Sequence, residues 1–367
     1  MRMKLYFLLF LIPVSSLSLR GQSNDTWISF WNEDTTMIGY KDKNGVVKIE
    51  PKFTGFSNAG RFDNIIAATE ENDGKWTSYY LTKAGKAIGR DSLHIFDNSA
   101  DCESEGFIRF RDKKTDQVGL FDRTGKVVIP AVYNELTRVR NGMVIGLKGA
   151  EKKFWDKDKH SGCNHFSWTG GQEVLIDTSN KILVEKFPFN EGLNFFSLQK
   201  TEAAHPDSTR VSFLAVDGSY YSFIDFQREF EQWVMKELLP DLTVEKLIEA
   251  SYDTITRETE DGWNKTAGKQ LITENFTILK NGLMEILEPK TEYFISNSGL
   301  NPLMFDGPVF EHYFTNCGEL KEWIYPTMSI IISHHNKTDF PQDHYEFLRT
   351  DDGYKLIYLA IRDKNMK

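Results

Sequence analysis

Two imidazoles and one thiol lie within six residues of sequence, at His160, Cys163 and His165. Imidazole nitrogen and thiolate sulfur bind zinc and similar divalent ions, so this one segment can supply three ligands. Structural zinc sites draw on a second pair of ligands, and the sequence has no C-x-x-C pair to complete this set. Two interpretations stay open: a metal site, or a solvated insertion at about 150–168 whose loop contacts a partner.

Trp155 and Trp168 flank this segment. Aromatic side chains on an exported β-scaffold stack on sugar rings or anchor a protein partner. We therefore predict Trp155 and Trp168 as partner-binding residues. Trp263 and Trp323 also lie in or beside predicted loops, and burial in a core is the alternative role for all four.

Catalytic motifs do not accompany these residues. The sequence has no G-x-S-x-G, no H-E-x-x-H and no phosphate-binding glycine loop. The run Ser197-Leu-Gln-Lys200 spells S-x-x-K, but it falls in a predicted strand and its companion motifs are missing. We predict no catalytic residue and no cofactor, so the chain is not expected to be an enzyme.

The elements that position the candidate residues repeat along the chain. Glycines recur every 40 residues at Gly45, Gly85 and Gly125, and Asn180 takes the same place 55 residues further on. Glycine enters the left-handed conformation without penalty, and asparagine is the next-best residue there. An aspartate opens most of these turns, where its carboxylate can accept a backbone N–H. The pattern predicts a tight β-hairpin in each copy, with these structural turn residues: Asp42, Gly45, Gly85, Asp122, Gly125, Asp177 and Asn180.

The first and third copies resemble the WG-repeat family. Gly39-Tyr-Lys-Asp42 and Val118-Gly-Leu-Phe-Asp122 match the opening of its motif without the namesake tryptophan, and Lys126-Val-Val-Ile-Pro130 matches its centre. The resemblance extends over about residues 36–223, with a weak fifth copy around Gly218. It implies non-catalytic β-modules of exported and cell-surface proteins, and it names no ligand.

A unit of about 40 residues cannot bury its own apolar face, so neighbouring copies must stack. We expect a mainly β protein with about five such units, arranged as a propeller-like ring or as an open array. The segment Trp27–Trp31 precedes the first unit, and we expect it to pair with the last unit if the ring closes.

The period ends after residue 221, and residues 222–367 are expected to form an α+β domain. Phe223, Phe226 and Phe230 recur at helical spacing, with Ser222 as the N-cap. Further helices are predicted from Thr243 and around Leu279, and the acidic run 258–261 is expected to lead from a helix into a loop. An antiparallel sheet is predicted at the end of the chain, and the order of elements is similar to that of NTF2-like domains.

The N-terminus has the pattern of a secretory signal peptide. Two basic residues precede the ten-residue apolar run Leu5–Val14, and small or polar residues follow up to Gly21. This run is too short to span a membrane. We therefore predict removal of residues 1–21, a repeat domain over 22–221, and a periplasmic or extracellular location.

Charge and cysteine content narrow the function further. After loss of residues 1–21, 41 basic residues face 53 acidic ones, which gives a net charge of −12. A chain with this much negative charge repels phosphate backbones. A nucleic-acid partner is therefore not expected. The three cysteines allow a bridge between Cys102 and Cys163, or three buried thiols.

The sequence thus predicts an exported repeat protein that presents a binding surface for a protein or glycan partner. Two alternatives remain: a C-terminal domain that binds a small ligand or acts as a hydrolase, with the repeats as the docking half, and a metal binder that uses His160, Cys163 and His165.

Overall fold

The computed structural model describes residues 25–57, 59–155, 165–188, 190, 192–259, 262–334, 341–363 and 365–366. The structure is mostly β, with 49% strand and 12% helix, and it includes a curled half-barrel sheet. Within the described ranges, none of the helices combines the length and apolarity needed to cross a bilayer. The predicted signal peptide, residues 1–21, lies outside the described residues.

A seven-stranded antiparallel sheet begins the fold, in the order β4-β1-β2-β3-β5-β6-β7. Strand β1 pairs with β2 on one side and β4 on the other. The expectation that Trp27–Trp31 pairs with the last unit is therefore wrong, because both edges of this strand are already hydrogen-bonded. The strands are β1 (Trp27–Trp31), β2 (Ile38–Lys41), β3 (Val47–Phe53), β4 (Arg61–Phe62), β5 (Ile65–Asn72), β6 (Lys75–Thr82) and β7 (Ala87–Ile88).

Four small antiparallel sheets follow, in the orders β8-β9, β10-β11-β12, β13-β14-β15-β16 and β17-β19-β18. Their strands are β8 (Ile95–Phe96), β9 (Ser99–Ala100), β10 (Phe107–Arg111), β11 (Val118–Asp122), β12 (Val127–Tyr133), β13 (Glu135–Leu136), β14 (Met143–Phe154), β15 (Phe166–Asp177), β16 (Ile182–Val184), β17 (Leu193–Thr201), β18 (Arg210–Leu214) and β19 (Tyr220–Asp225).

Hairpin turns of the first sheet and of the small sheets share one hydrogen-bond pattern. The Asp122 Oδ1 accepts the backbone N–H groups of Thr124 and Lys126 at 2.8 and 3.0 Å. Asp42 and Asp177 accept the equivalent pairs. Thr82 stands at the aspartate's position in the second copy, where its Oγ1 accepts the Lys86 N–H. The residue that closes each turn has a positive φ, at Gly45 (82°), Gly85 (81°), Gly125 (75°) and Asn180 (68°).

Gly119 lies where two strands approach each other closely. A Cβ at this position would be 2.5 Å from Phe110 Cζ and 2.7 Å from the Ile129 carbonyl oxygen. The ladder between β11 and β12 shifts register at this point, just before Pro130. Gly39 has the same relation to β3, with Pro51 beside it. The glycine and the proline of the motif therefore belong to one bulged strand pair.

The apolar clusters of this region are shared between successive sheets. Leu120 and Ile129 of one sheet pack with Val144 and Ile176 of the next. Ile65 and Tyr80 of the first sheet pack in the same way with later residues, including Phe110. Each sheet therefore completes the core of its neighbour.

The boundary predicted after residue 221 falls inside a strand, because β19 continues to Asp225. Helix α1 begins at Phe226, and the Asp225 carboxylate accepts the Arg228 N–H as its N-cap. The predicted cap at Ser222 is wrong, since Ser222 lies within this central strand and pairs with Ser212 on one side and Gln199 on the other. Of the residues predicted at helical spacing, Phe226 and Phe230 lie in α1, whereas Phe223 belongs to the strand before it.

A six-stranded sheet and its helices form the C-terminal part, in the strand order β21-β20-β25-β24-β23-β22. The prediction of an antiparallel sheet is wrong for one pair, because β20 runs parallel to β25, while the other described pairs are antiparallel. The acidic run that was expected to follow a helix begins within β20 instead. The elements are α1 (Phe226–Trp233), a π-helix (Val234–Leu238), α2 (Val244–Glu249), β20 (Ser251–Thr259), β21 (Gly262–Ala267), α3 (Gly268–Glu285), β22 (Glu292–Ser298), a 3-10 helix (Glu311–Tyr313), β23 (Thr327–Ser333), β24 (Gln342–Thr350) and β25 (Gly353–Ala360).

Residues 299–326, between β22 and β23, cross back to the N-terminal sheets, and we call this segment the strap. One side of the strap, including Phe305 and Phe314, packs on the six-stranded sheet. A disulfide joins Cys317 of the strap to Cys102, with 6.0 Å between their Cα atoms. This pairing replaces both predictions for the cysteines, because neither a Cys102–Cys163 bridge nor a free Cys102 is compatible with it.

Polar contacts hold the strap on either side of the disulfide. The Arg61 guanidinium donates to the carbonyl oxygens of Phe314 and Thr315 at 2.8 and 3.1 Å. Arg138 forms an ion pair with Glu319. The strap is therefore attached to strands and loops of the N-terminal sheets and not only to its own sheet.

Candidate partner-binding site

Strands β14 and β15 form a long hairpin whose inner and outer halves differ in burial. Near the sheet core, Val144 and Leu175 are completely buried. Towards the tip, Phe154 is 53% exposed. The insertion predicted at about 150–168 is therefore, in its described part, an extension of this hairpin. We call residues 150–155 and 165–170 the ribbon.

A pair of glycines marks the joint between the core and the ribbon. Lys148 pairs with Gln172 and Ala150 with Gly170, but Gly149 and Gly171 between them form no ladder pair. Both glycines have positive φ values, of 72° and 79°. The ladder is therefore interrupted where the buried half of the hairpin ends. This interruption separates the ribbon from the rest of the sheet.

One face of the ribbon is aromatic. Lys152 pairs with Trp168 and Phe154 with Phe166, so the four side chains share a face. The Lys152 ammonium lies 4.1 Å from the centroid of the Phe166 ring and 5.2 Å from that of Trp168. It also forms an ion pair with Asp116. These contacts fix the rings and tie the ribbon to the loop before β11.

The opposite face carries Trp155, which is 69% exposed. Its ring stacks on His165 with centroids 5.6 Å apart and an interplanar angle of 22°. Its Nε1 donates to Ser167 Oγ at 2.6 Å. The indole is held in one orientation while most of its surface stays open to solvent, which suits a contact residue.

The ribbon thus contains both predicted tryptophans, on opposite faces, and three further residues that the sequence analysis missed. Lys152 and Phe154 are two residues apart, as are Phe166 and Trp168, with the polar residues Lys153 and Ser167 between them. That alternation, Lys152-x-Phe154 and Phe166-x-Trp168, is the signal that indicates a strand in place of a charged loop.

The metal-site prediction falls mainly outside the described residues, since His160 and Cys163 are not among them. His165 is described and is the residue that stacks on Trp155. In the part of the chain that the structure covers, no three His, Cys, Asp or Glu side chains are grouped to hold a metal ion. The site at His160, Cys163 and His165 stays a prediction.

The other two tryptophans, Trp263 and Trp323, differ in solvent exposure. Trp263 is 59% exposed on β21. Trp323 is only 6% exposed, and the Arg140 guanidinium carbon lies 5.1 Å from its ring centroid. Its position beside a predicted loop therefore did not mean exposure, because the strap carries it into the interior.

Residues 119–145 match the family model described as the WG containing repeat. No curated protein and no solved structure matches the chain. The matched segment begins at Gly119, includes the turn of Asp122 and Gly125, and ends in β14. The likeness of the C-terminal part to NTF2-like domains stays a prediction. Over residues 119–145 the predicted resemblance is confirmed, and the chain carries a WG containing repeat.

Proposed function

We propose that this chain is an exported, non-catalytic binding protein that presents the ribbon to a protein partner. The observation that carries the proposal is the exposure of aromatic side chains on both faces of one two-stranded element. Phe154 and Trp155 are each more than half exposed there. A two-stranded ribbon is marginally stable in water by itself, and clustered exposed aromatics are typical of interaction sites.

The shape of the ribbon favours a protein over a glycan. A sugar ring stacks on one flat, open aromatic face. Here His165 covers one side of the Trp155 ring, and Lys152 lies over Phe166 and Trp168. A projecting element with rings on both sides suits insertion between two surfaces of a partner, where both faces become buried.

The array that supports the ribbon is proposed to consist of about five stacked units over residues 22–225. The shared turn chemistry of Asp42, Asp122 and Asp177 supports this division. So do the apolar clusters that join each sheet to the next. The remainder is proposed to be an α+β domain that the strap fastens to the array.

Export is proposed on two grounds. The N-terminal sequence has the order of basic, apolar and small residues of a signal peptide. The Cys102–Cys317 disulfide supports the same location, because disulfides persist in oxidising compartments and are rare in the cytosol.

The proposal is tested by capture of partners from the host envelope with the mature chain and with two matched double variants. Phe154→Ala/Trp155→Ala removes rings from the ribbon. Phe56→Ala/Trp76→Ala removes a pair of similar exposure, 60% and 53%, from the first sheet. We expect a protein captured by the native chain and by the control to be lost with the ribbon variant. Equal capture by all three chains contradicts the proposal, and loss of capture on addition of soluble glycans assigns the ribbon to a sugar instead.

A further inference from the structure

A second, separate site lies between the N-terminal sheets and the strap. A cleft of about 610 Å³ is lined there by loops of the N-terminal sheets, by Phe196 of β17 and by strap residues from Thr315 to Ile324. Sites for small molecules typically enclose about 300–1,000 Å³. The cleft shares no residue with the ribbon, so binding at the two places can be tested separately.

The acidic side chains of the cleft are partly occupied by the protein itself. Asp63 accepts Thr26 Oγ1 at 2.6 Å and Asn316 Nδ2 at 2.8 Å. Glu105 accepts the backbone N–H groups of Asn141 and Gly142. A carboxylate has about four lone-pair sites, so each of these two groups keeps about two acceptor positions for a ligand.

The basic side chains of the cleft keep more of their hydrogen-bond donors free for a ligand. Within the described part of the chain, the Arg123 guanidinium has no hydrogen bond or ion pair. It lies against Gly106, where a Cβ would be 2.8 Å from Nη2. Lys321 Nζ donates to the His312 carbonyl oxygen at 2.8 Å, which leaves two of its N–H groups unused. Arg123 is therefore the donor most available to a ligand.

An aromatic ring completes the lining. Phe196 is 47% exposed at the wall of the cleft. Trp323 lies beneath, almost fully buried. The cleft therefore combines hydrogen-bond donors, hydrogen-bond acceptors and one open apolar surface.

We propose that this cleft binds a neutral oligosaccharide. A sugar hydroxyl both donates and accepts, so it can pair with Arg123 on one side and with the carboxylates of Asp63 or Glu105 on the other. The apolar face of a sugar ring can lie on Phe196. An anionic ligand would accept from Arg123 but would meet four carboxylates against three basic side chains, so the net charge of the lining is unfavourable to it. An organic cation could not use the free guanidinium.

The test is isothermal titration of the mature chain with cellotetraose, maltotetraose and chitotetraose, and with tetragalacturonate as the anionic comparison. We expect at least one neutral probe to bind and the anionic probe to bind more weakly. Arg123→Ala and Phe196→Ala should each weaken the neutral complex about tenfold, the loss of one polar or stacking contact. Lys126→Ala, an exposed base of the same turn that does not line the cleft, should leave binding unchanged.

Three results overturn the proposal. The first is that no neutral probe binds at concentrations up to about 10 mM. The second is that the anionic probe binds more tightly than every neutral one. The third is that both cleft variants bind the neutral probe as tightly as the native chain does. Arg123 and Phe196 are solvent-exposed, and thermal unfolding of each variant verifies that it is folded. None of these outcomes depends on capture of a protein by the ribbon.

Discussion

Cys102 and Cys317 are joined by a disulfide although 215 residues separate them in sequence. The bond lies between two polar attachments of the strap, from Arg61 to Phe314 and from Arg138 to Glu319. Because the strap also packs on the six-stranded sheet, the disulfide links the C-terminal part covalently to the N-terminal sheets.

Removal of this disulfide should destabilise the protein strongly. Closing a loop of this length lowers the entropy of the unfolded chain, and loss of a native disulfide costs about 2–5 kcal/mol. We expect Cys102→Ser/Cys317→Ser to lower the urea midpoint of unfolding, and a reducing agent to do the same to the native chain. The double variant should be insensitive to the reducing agent. An unchanged midpoint in both experiments would contradict the structural role assigned to the bond.

Gly119→Ala should destabilise the repeat that matches the family model. The new methyl group would lie 2.5 Å from Phe110 Cζ and 2.7 Å from the Ile129 carbonyl oxygen, and the backbone atom cannot move without breaking the ladder. Overpacking of this kind costs about 1–3 kcal/mol. The control is Gly299→Ala, where the added Cβ meets nothing within 4 Å. Chemical denaturation should separate the two variants, and equal stability would refute the close-approach argument.

Asp101 should control part of the pH dependence of stability. Its carboxylate is buried and accepts the Nη2 of Arg109 at 2.5 Å and the Nε of Arg138 at 3.1 Å. Burial raises the pKa of this carboxyl, but the two guanidinium groups outweigh burial and hold the pKa well below its ordinary value. Because the pKa is depressed in the folded state, the stabilisation is present above the ordinary aspartate pKa and is lost as the pH falls below it.

We therefore expect Asp101→Asn to lower the free energy of unfolding by about 3–5 kcal/mol at pH 7, since it removes the ion-pair partner of the largely buried Arg109 and leaves Arg138 with Glu319 alone. The difference from the native chain should shrink as the pH falls from 5 towards 2 in denaturation experiments. Asp306→Asn removes a fully exposed partner of Lys265 and should have no measurable effect. A loss of stability at Asp101 that stays constant with pH would show that charge is not its cause.

Local chemistry made the hairpins predictable. The hydrogen bonds of the Asp122 carboxylate and the positive φ of Gly125 involve only five consecutive residues. The spacing of these residues in the sequence is therefore enough to predict the turn. The motif includes Gly119, but the sequence does not show why glycine is needed there. The atoms that a side chain would clash with belong to neighbouring strands.

Features that depend on distant residues were not predictable. The partner of Cys102 is chosen by the path of the strap, which no local pattern describes. The cap at Ser222 was misplaced because Phe223 fits a strand and a helix equally well until β17 and β18 are known to flank it. The aromatic face of the ribbon needed the pairing of Lys152 with Trp168, two residues that are far from adjacent in the chain.

The order of the attachments along the strap has an evolutionary consequence. Positions 314–316 contact Arg61 and Asp63, position 317 bonds to Cys102, position 319 pairs with Arg138, and position 323 lies under Arg140. The strap positions and their partners in the N-terminal sheets follow each other in the same order along the chain. A tandem duplication or deletion between 63 and 138 would therefore move the later partners away from their strap positions. We therefore expect insertion or deletion of a whole segment between 63 and 138 to be tolerated poorly, because it would displace these contacts.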